Sequence, residues 1–244
     1  MSKWSEYYRR YQEGEWRTPI FRDLILHEIA QHPSATVLDI GCGDGFDDDL
    51  DMQRQIAEAA ITYIGIEPDA EIQLAPYFTG QHRCLFEDAP LAEGSINVAF
   101  SVMVLEHLEN PGLFWKKLAE VLTDGGVFWG FTVDARHWFC KASMWLKQIR
   151  MKDFYLNRLH GERGVDRYHN YPVYYRANTP EQILPYMEEF ERCEFLNFVK
   201  EGQMDYYLPT LLQPVGAAVD RSLMARNKPG ALLAVRVEKG IRSA

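Results

Sequence analysis

Short apolar runs alternate with stretches in which apolar residues recur at helical spacing, and the alternation holds along most of the chain. Strands are expected at 35–40, 61–67, 96–103 and 127–133, each rich in Val, Ile, Phe and Tyr. Runs this continuous fit strands buried on both faces. A short third strand is expected at 83–87, and two more at 193–199 and 231–237. Between them, Ile20, Phe21, Leu24, Ile25 and Ile29 mark one face of a helix opened by Thr18-Pro19 and closed near His32-Pro33. A second helix is expected at 52–60. A third starts at Asn110-Pro111, turns Phe114, Trp115, Leu118, Val121 and Leu122 inward, and stops at Asp124-Gly125-Gly126. A fourth runs from Thr179-Pro180 to about residue 190. Strands alternating with helices predict an α/β fold with a doubly wound, seven-stranded, mostly parallel sheet.

The rhythm breaks in three places. Residues 4–16 carry five aromatics among charges, which suits either a helix packing an aromatic stripe on the core or a flap over a bound ligand. We therefore read 1–34 as an N-terminal helical flap and 35–244 as the main domain. Residues 135–176, rich in Trp, Tyr, Phe, His and Arg, read as a helical, aromatic cap inserted after the fifth strand. Trp138, Trp145 and Tyr155 would supply part of the cap's own small core. A smaller insertion is expected at 202–230.

The totals narrow the partners. The chain has 244 residues, 47% of them hydrophobic, enough for one large domain. A net charge of −9 argues against nucleic acid, which needs a basic field. Cys42, Cys84, Cys140 and Cys193 are scattered without metal-ligand spacing, so reduced thiols and a cytoplasmic location are expected. No apolar run is long enough to span a bilayer, so no membrane insertion is expected. Homo-oligomerisation stays open.

Chemistry concentrates at strand ends. The first strand ends in Asp39-Ile40-Gly41-Cys42-Gly43-Asp44-Gly45, three glycines at alternate positions where a backbone must pass close to another group. An open α/β sheet binds nucleotide-like ligands at such a turn. Asp47, Asp48, Asp49 and Asp51 follow. They suit the N-terminus of the next helix better than a metal site, because adjacent acids in one short loop cannot all converge on one ion. No metal is expected. The second strand ends in Glu67, where a carboxylate can accept from both hydroxyls of a ribose.

Taken together, VLDIGCGDG, IGIEP, EDAPLAEGSIN, VLEHLENP and LTDGG, in that order, resemble the class I S-adenosylmethionine-dependent methyltransferases, in particular their small-molecule members (the methyltransferase 11/12 group). The resemblance is close over about 35–133 and topological beyond, and it implies a Rossmann-like sheet. It implies S-adenosyl-L-methionine as cofactor, with Gly41, Cys42 and Gly43 at its methionine part, Asp39 and Asp44 near its ammonium, and Glu67 on the ribose. Phe86, Glu87 and Asp88 would lie along the adenine, and Met103 at the end of the fourth strand beside the cofactor. One departure is that many relatives carry Asp-Ala before the Glu-Asp pair, where this chain has Leu85-Phe86. Adenine recognition would then use backbone groups and a stacking Phe86.

The implied activity is methyl transfer to a small-molecule acceptor. O-methylation of a sugar or natural-product hydroxyl with a His base is expected, with N-methylation of an amino group and a non-catalytic cofactor-binding subunit as alternatives. Alignment supplies much of such a rate, and a hydroxyl acceptor adds the need for a base. His107 after the fourth strand and His137 beside Asp134 after the fifth are the catalytic candidates, ahead of His160 and His169 in the cap.

Overall fold

The computed structural model describes residues 3–43, 45–148 and 172–241. His160, His169 and Tyr155 of the expected cap lie outside the described residues, as does Asp44. Two helices, α1 (Ser5–Gln12) and α2 (Arg17–Gln31), precede β1 (Thr36–Ile40), α3 (Leu50–Ala59) and β2 (Thr62–Ile66). Then come β3 (Gly80–His82), β4 (Ile96–Val102), α4 (Pro111–Val121), β5 (Leu122–Val133) and α5 (Trp138–Gln148). The described chain ends through α6 (Pro180–Ile183), β6 (Phe190–Phe198), α7 (Gln213–Ala225) and β7 (Leu232–Lys239).

The seven strands form one sheet in the order β3-β2-β1-β4-β5-β7-β6. Neighbours from β3 to β5 pair in parallel, whereas β7 runs antiparallel to both β5 and β6. This is the mostly parallel, doubly wound α/β sheet expected. The strand order reverses at β1/β4, so the carboxyl ends of these strands flank a natural crevice.

Three elements differ from expectation. The third strand is Gly80–His82, not 83–87, and Phe86–Asp88 form a short 3-10 turn instead. Phe86 is apolar because it packs edge-on against Phe114 of α4, not because it sits in the sheet. The glycine pair after α4 does not end the helix; it lies inside β5, where a Cβ on Gly126 would meet the Ile96 carbonyl at 3.0 Å. The helix from Pro180 loosens to a 3-10 form over Leu184–Glu189, since Pro185 has no N–H to donate.

The N-terminal aromatic stripe packs on the core through Trp4 and Tyr11, which are buried, with Tyr7 and Tyr8 half-buried and Trp16 exposed. Trp4 packs edge-on against Trp129 and donates its indole N–H to Glu194, while Tyr11 meets Phe198. Phe21 of α2 stacks on Phe131 of β5 with ring centroids 4.0 Å apart. A buried ion pair crosses the same interface: Arg236 Nε donates to Glu28 Oε1 at 2.7 Å, and Trp129 Nε1 donates to the same oxygen at 3.3 Å. No disulfide joins any of the four cysteines. Among the described residues, no helix is long and apolar enough to cross a membrane.

Candidate functional site

The glycine turn folds back over the end of β2. Gly41 N and Cys42 N both donate to the Ile66 carbonyl, at 2.8 and 3.1 Å. Gly41 has φ +74°, and a Cβ there would stand 2.5 Å from Val104 Cγ2 in the loop after β4. Only glycine fits that place. Glu67, 4% exposed, braces the turn: Oε2 accepts from Gly43 N at 3.0 Å and Oε1 from Asp69 N at 2.9 Å. Its carboxylate is fixed in direction before any ligand arrives. Across the crevice, Met103 is held at φ +56°, with its N–H donated to the Phe131 carbonyl at 2.8 Å.

These elements bound a cleft of about 1410 Å³ over the carboxyl ends of β1, β2 and β4. Of the residues expected at the site, Gly41, Gly43, Glu67, Phe86, Glu87, Asp88, Met103 and His107 line it. Burial raises the Glu87 carboxyl above its ordinary range. Cys42 lies beneath the turn at 1% exposure, where burial pushes its thiol up.

Asp39 does not line the cleft. It sits under the turn, where its Oδ2 accepts from Tyr63 Oη at 2.6 Å and Gln53 Nε2 at 3.0 Å. Gln53 Nε2 also donates to the Cys42 carbonyl at 2.8 Å, and Gln53 Oε1 accepts from Tyr77 Oη at 2.7 Å. The acid therefore supports the turn from below. Burial raises its carboxyl to about 7, against the lowering effect of the two hydrogen bonds. A folded-state value above the unfolded one means that the native state holds the extra proton between about pH 4 and 7. Stability through this group therefore falls as pH rises across that window and levels off above it. Melts of wild type and Asp39→Asn from pH 4 to 8 should show the variant gaining on wild type up to about pH 7, with a constant difference beyond. A difference independent of pH would show an ordinary carboxylate.

The two histidines separate. His107 is half-buried on the cleft wall, and its Nδ1 lies 2.9 Å from the Pro172 carbonyl. A carbonyl only accepts, so Nδ1–H donates to it and orients the ring. The same loop is stitched to the returning chain, with the Glu106 carbonyl accepting from Tyr174 N and Tyr175 N. His137 is 1% exposed, does not line the cleft, and lies beside Gln203 and Asp220. Burial pushes its imidazole down to about 4, with Asp134 pulling the other way. Asp134 is itself fully buried, binding Arg136 through both oxygens and accepting from Asn197 Nδ2 at 2.8 Å. The structure does not bring this pair to the crevice.

The acids after the turn divide as well. Asp47 pairs with Arg17, Asp49 caps α3 by accepting from Met52 N, and Asp51 faces Arg54. Among the described residues, no group of three or more His, Cys, Asp or Glu could hold a metal ion. Sequence reasoning missed Asp48, Val104, Tyr174 and Arg176, all of which line the cleft. The glycine requirement at Gly41 points to a bulky neighbour such as Val104, but only after the fold is known.

Residues 8–164 match a family model described as a methyltransferase domain. An uncharacterized methyltransferase of Mycobacterium bovis (strain BCG / Pasteur 1173P2) is 30% identical over 112 residues, 43% of this chain and 42% of that protein. The tRNA U34 carboxymethyltransferase of Actinobacillus pleuropneumoniae serotype 3 (strain JL03) is 28% identical over 125 residues, 47% of this chain and 37% of its own length. The matched region thus spans under half the length of these curated relatives. Among solved structures, a SAM-dependent methyltransferase from Thermotoga maritima superposes with a TM-score of 0.55 at 16% identity, covering 97% of this chain and 93% of that one. Geranyl diphosphate C-methyltransferase from Streptomyces coelicolor A3(2), in complex with S-adenosyl-L-homocysteine, gives 0.53 at 13% identity over 91% of this chain and 76% of its own. At these identities the likeness is one of fold.

Proposed function

The chain belongs to the methyltransferase-domain family, and from that premise we propose that it transfers a methyl group from S-adenosyl-L-methionine to a hydroxyl of a small-molecule acceptor. The residues present fit the cofactor. Gly41, where a Cβ would run into Val104, lets the turn's backbone form the cleft wall, and Glu67 presents a prealigned carboxylate at the tip of β2. Glu67 would take the ribose hydroxyls, Gly41 and Gly43 would border the amino-acid part, and Phe86, Glu87 and Asp88 would lie along the adenine. Bound there, the cofactor supplies an electrophilic methyl on a sulfonium. The protein's own work is to align the acceptor and to take its proton.

The observation that carries the hydroxyl reading is His107. Its ring lies on the cleft wall, oriented through Nδ1–H by the Pro172 carbonyl, and an imidazole so placed is the natural base for a hydroxyl. His107→Ala should lower turnover by about 10²–10⁴-fold while S-adenosylhomocysteine affinity stays unchanged. The assay is release of S-adenosylhomocysteine with a panel of hydroxylated and aminated metabolites. Full turnover in the variant would remove His107 from the reaction.

A second reading is N-methylation, favoured by charge. Asp48, Glu67, Glu87, Asp88 and Glu109 line the cleft against the single guanidinium of Arg176 among the described lining residues. That field suits a cationic amine, and preference of the panel for amines would select it. The net charge of −9 supports a small molecule over a nucleic acid as acceptor.

A further inference from the structure

Two consecutive non-glycine residues after the glycine turn have left-handed backbones, Asp47 at φ +53° and Asp48 at φ +68°. Each costs of order 1 kcal/mol or more and persists only where the surroundings enforce it. The enforcement comes from a distant part of the chain. Arg17, at the start of α2, holds Asp47 through both oxygens, Nε to Oδ2 at 2.8 Å and Nη2 to Oδ1 at 2.6 Å. Thr18 Oγ1 donates to Asp47 Oδ2 at 2.6 Å, and the Asp47 side chain is only 5% exposed. On the other side, Phe46 and Asp49 exchange backbone hydrogen bonds at 3.1 Å, and Phe46 is buried against Phe100. With Asp47 pinned inward and Asp49 spent on capping α3, the residue between them is turned out. Asp48 is exposed, on the cleft wall that it shares with Gly41, Gly43 and Glu67.

This placement answers a question left by Asp39. An S-adenosylmethionine site must accommodate the ammonium of the cofactor's amino-acid part. Asp39 lies beneath the turn, engaged by Tyr63 and Gln53. We propose that Asp48 is the carboxylate that takes this ammonium, and that the Arg17–Asp47 pair is the brace that positions it. The N-terminal segment then has a role in cofactor binding without touching the cofactor. The inference rests on the cofactor reading above.

The test compares two ligands. S-adenosylhomocysteine carries the amino-acid part; 5′-methylthioadenosine shares the adenosine and sulfur but lacks the ammonium. By calorimetry, Asp48→Asn should weaken S-adenosylhomocysteine about tenfold or more and leave 5′-methylthioadenosine unchanged, because only the first forms the charge-assisted contact. Arg17→Gln should give the same selective loss, and Arg17→Lys should restore part of it, keeping charge without the two-pronged geometry. Asp48→Asn alters an exposed side chain, so its result stands even if an Arg17 variant fails to fold. Equal loss for both ligands, no loss for either, or a selective loss seen instead in Asp44→Asn would overturn the assignment. Failure of the wild type to bind either ligand would overturn the cofactor reading and the assignment with it.

Discussion

Glu67→Ala should weaken S-adenosylhomocysteine binding by about 100-fold, roughly 2.7 kcal/mol, in a calorimetric titration. Two losses combine. On the proposed cofactor pose the ribose hydroxyls would lose a charged acceptor, and the glycine turn would lose its brace, since Gly43 N and Asp69 N each donate to one Glu67 oxygen. Prealignment makes the first loss large: a carboxylate already fixed by two backbone N–H groups spends little entropy on binding. Glu67→Gln should fall between, because it keeps the shape but sets an amide NH₂ against one of those backbone donors. An unchanged dissociation constant in Glu67→Ala would remove the residue from the site.

The largest effect on stability is expected on the opposite flank of the molecule. Glu28→Ala should destabilise the fold by about 3 kcal/mol in urea unfolding, because it leaves the Arg236 guanidinium buried without its main partner. Arg236 is 5% exposed and keeps its contact to Glu238 at 3.0 Å, which holds the cost toward the lower end of that class. The double variant Glu28→Leu with Arg236→Met should recover most of the loss, since the desolvation cost of both charges disappears together. A loss under about 1 kcal/mol in Glu28→Ala would mean that Glu238 replaces Glu28 fully.

Much of this fold is legible in the sequence because periodicity reports burial. The runs at β1, β2, β4 and β5 are largely buried, and their observed carboxyl ends lie close to the expected ones, although β5 starts earlier, at Leu122. Periodicity is silent where an edge strand is short and polar, as at Gly80–His82, so the apolar Leu85-Phe86 pair drew the expectation away. It is equally silent on strand order: β7 enters between β5 and β6, pairing Val133 with Leu232 on one side and Phe198 with Leu232 on the other.

The site divides along the same line. Glycine positions and the acid at the tip of β2 are legible because their chemistry is local: Gly41 must lack a Cβ, and Glu67 must follow its strand. Direction is not local. Asp39 belongs to the same motif, yet Tyr63 and Gln53 draw it under the turn. His137 follows a strand end as His107 does, but Gln203 and Asp220, from the segment between β6 and β7, close over it. No spacing near His137 announces that. Asp48 was one acid among several until Arg17, at the start of a helix before the sheet, claimed its neighbour.

The cleft beside the glycine turn is expected to be the cofactor site. Hydrogen–deuterium exchange with and without S-adenosylhomocysteine tests it most directly, because it locates binding without requiring the acceptor. Protection is expected at the glycine turn through Asp48, around Glu67, at Phe86–Asp88 and in the loop from Met103 to His107. No protection there, or protection centred on the far edge around Trp4 and β6, would contradict it.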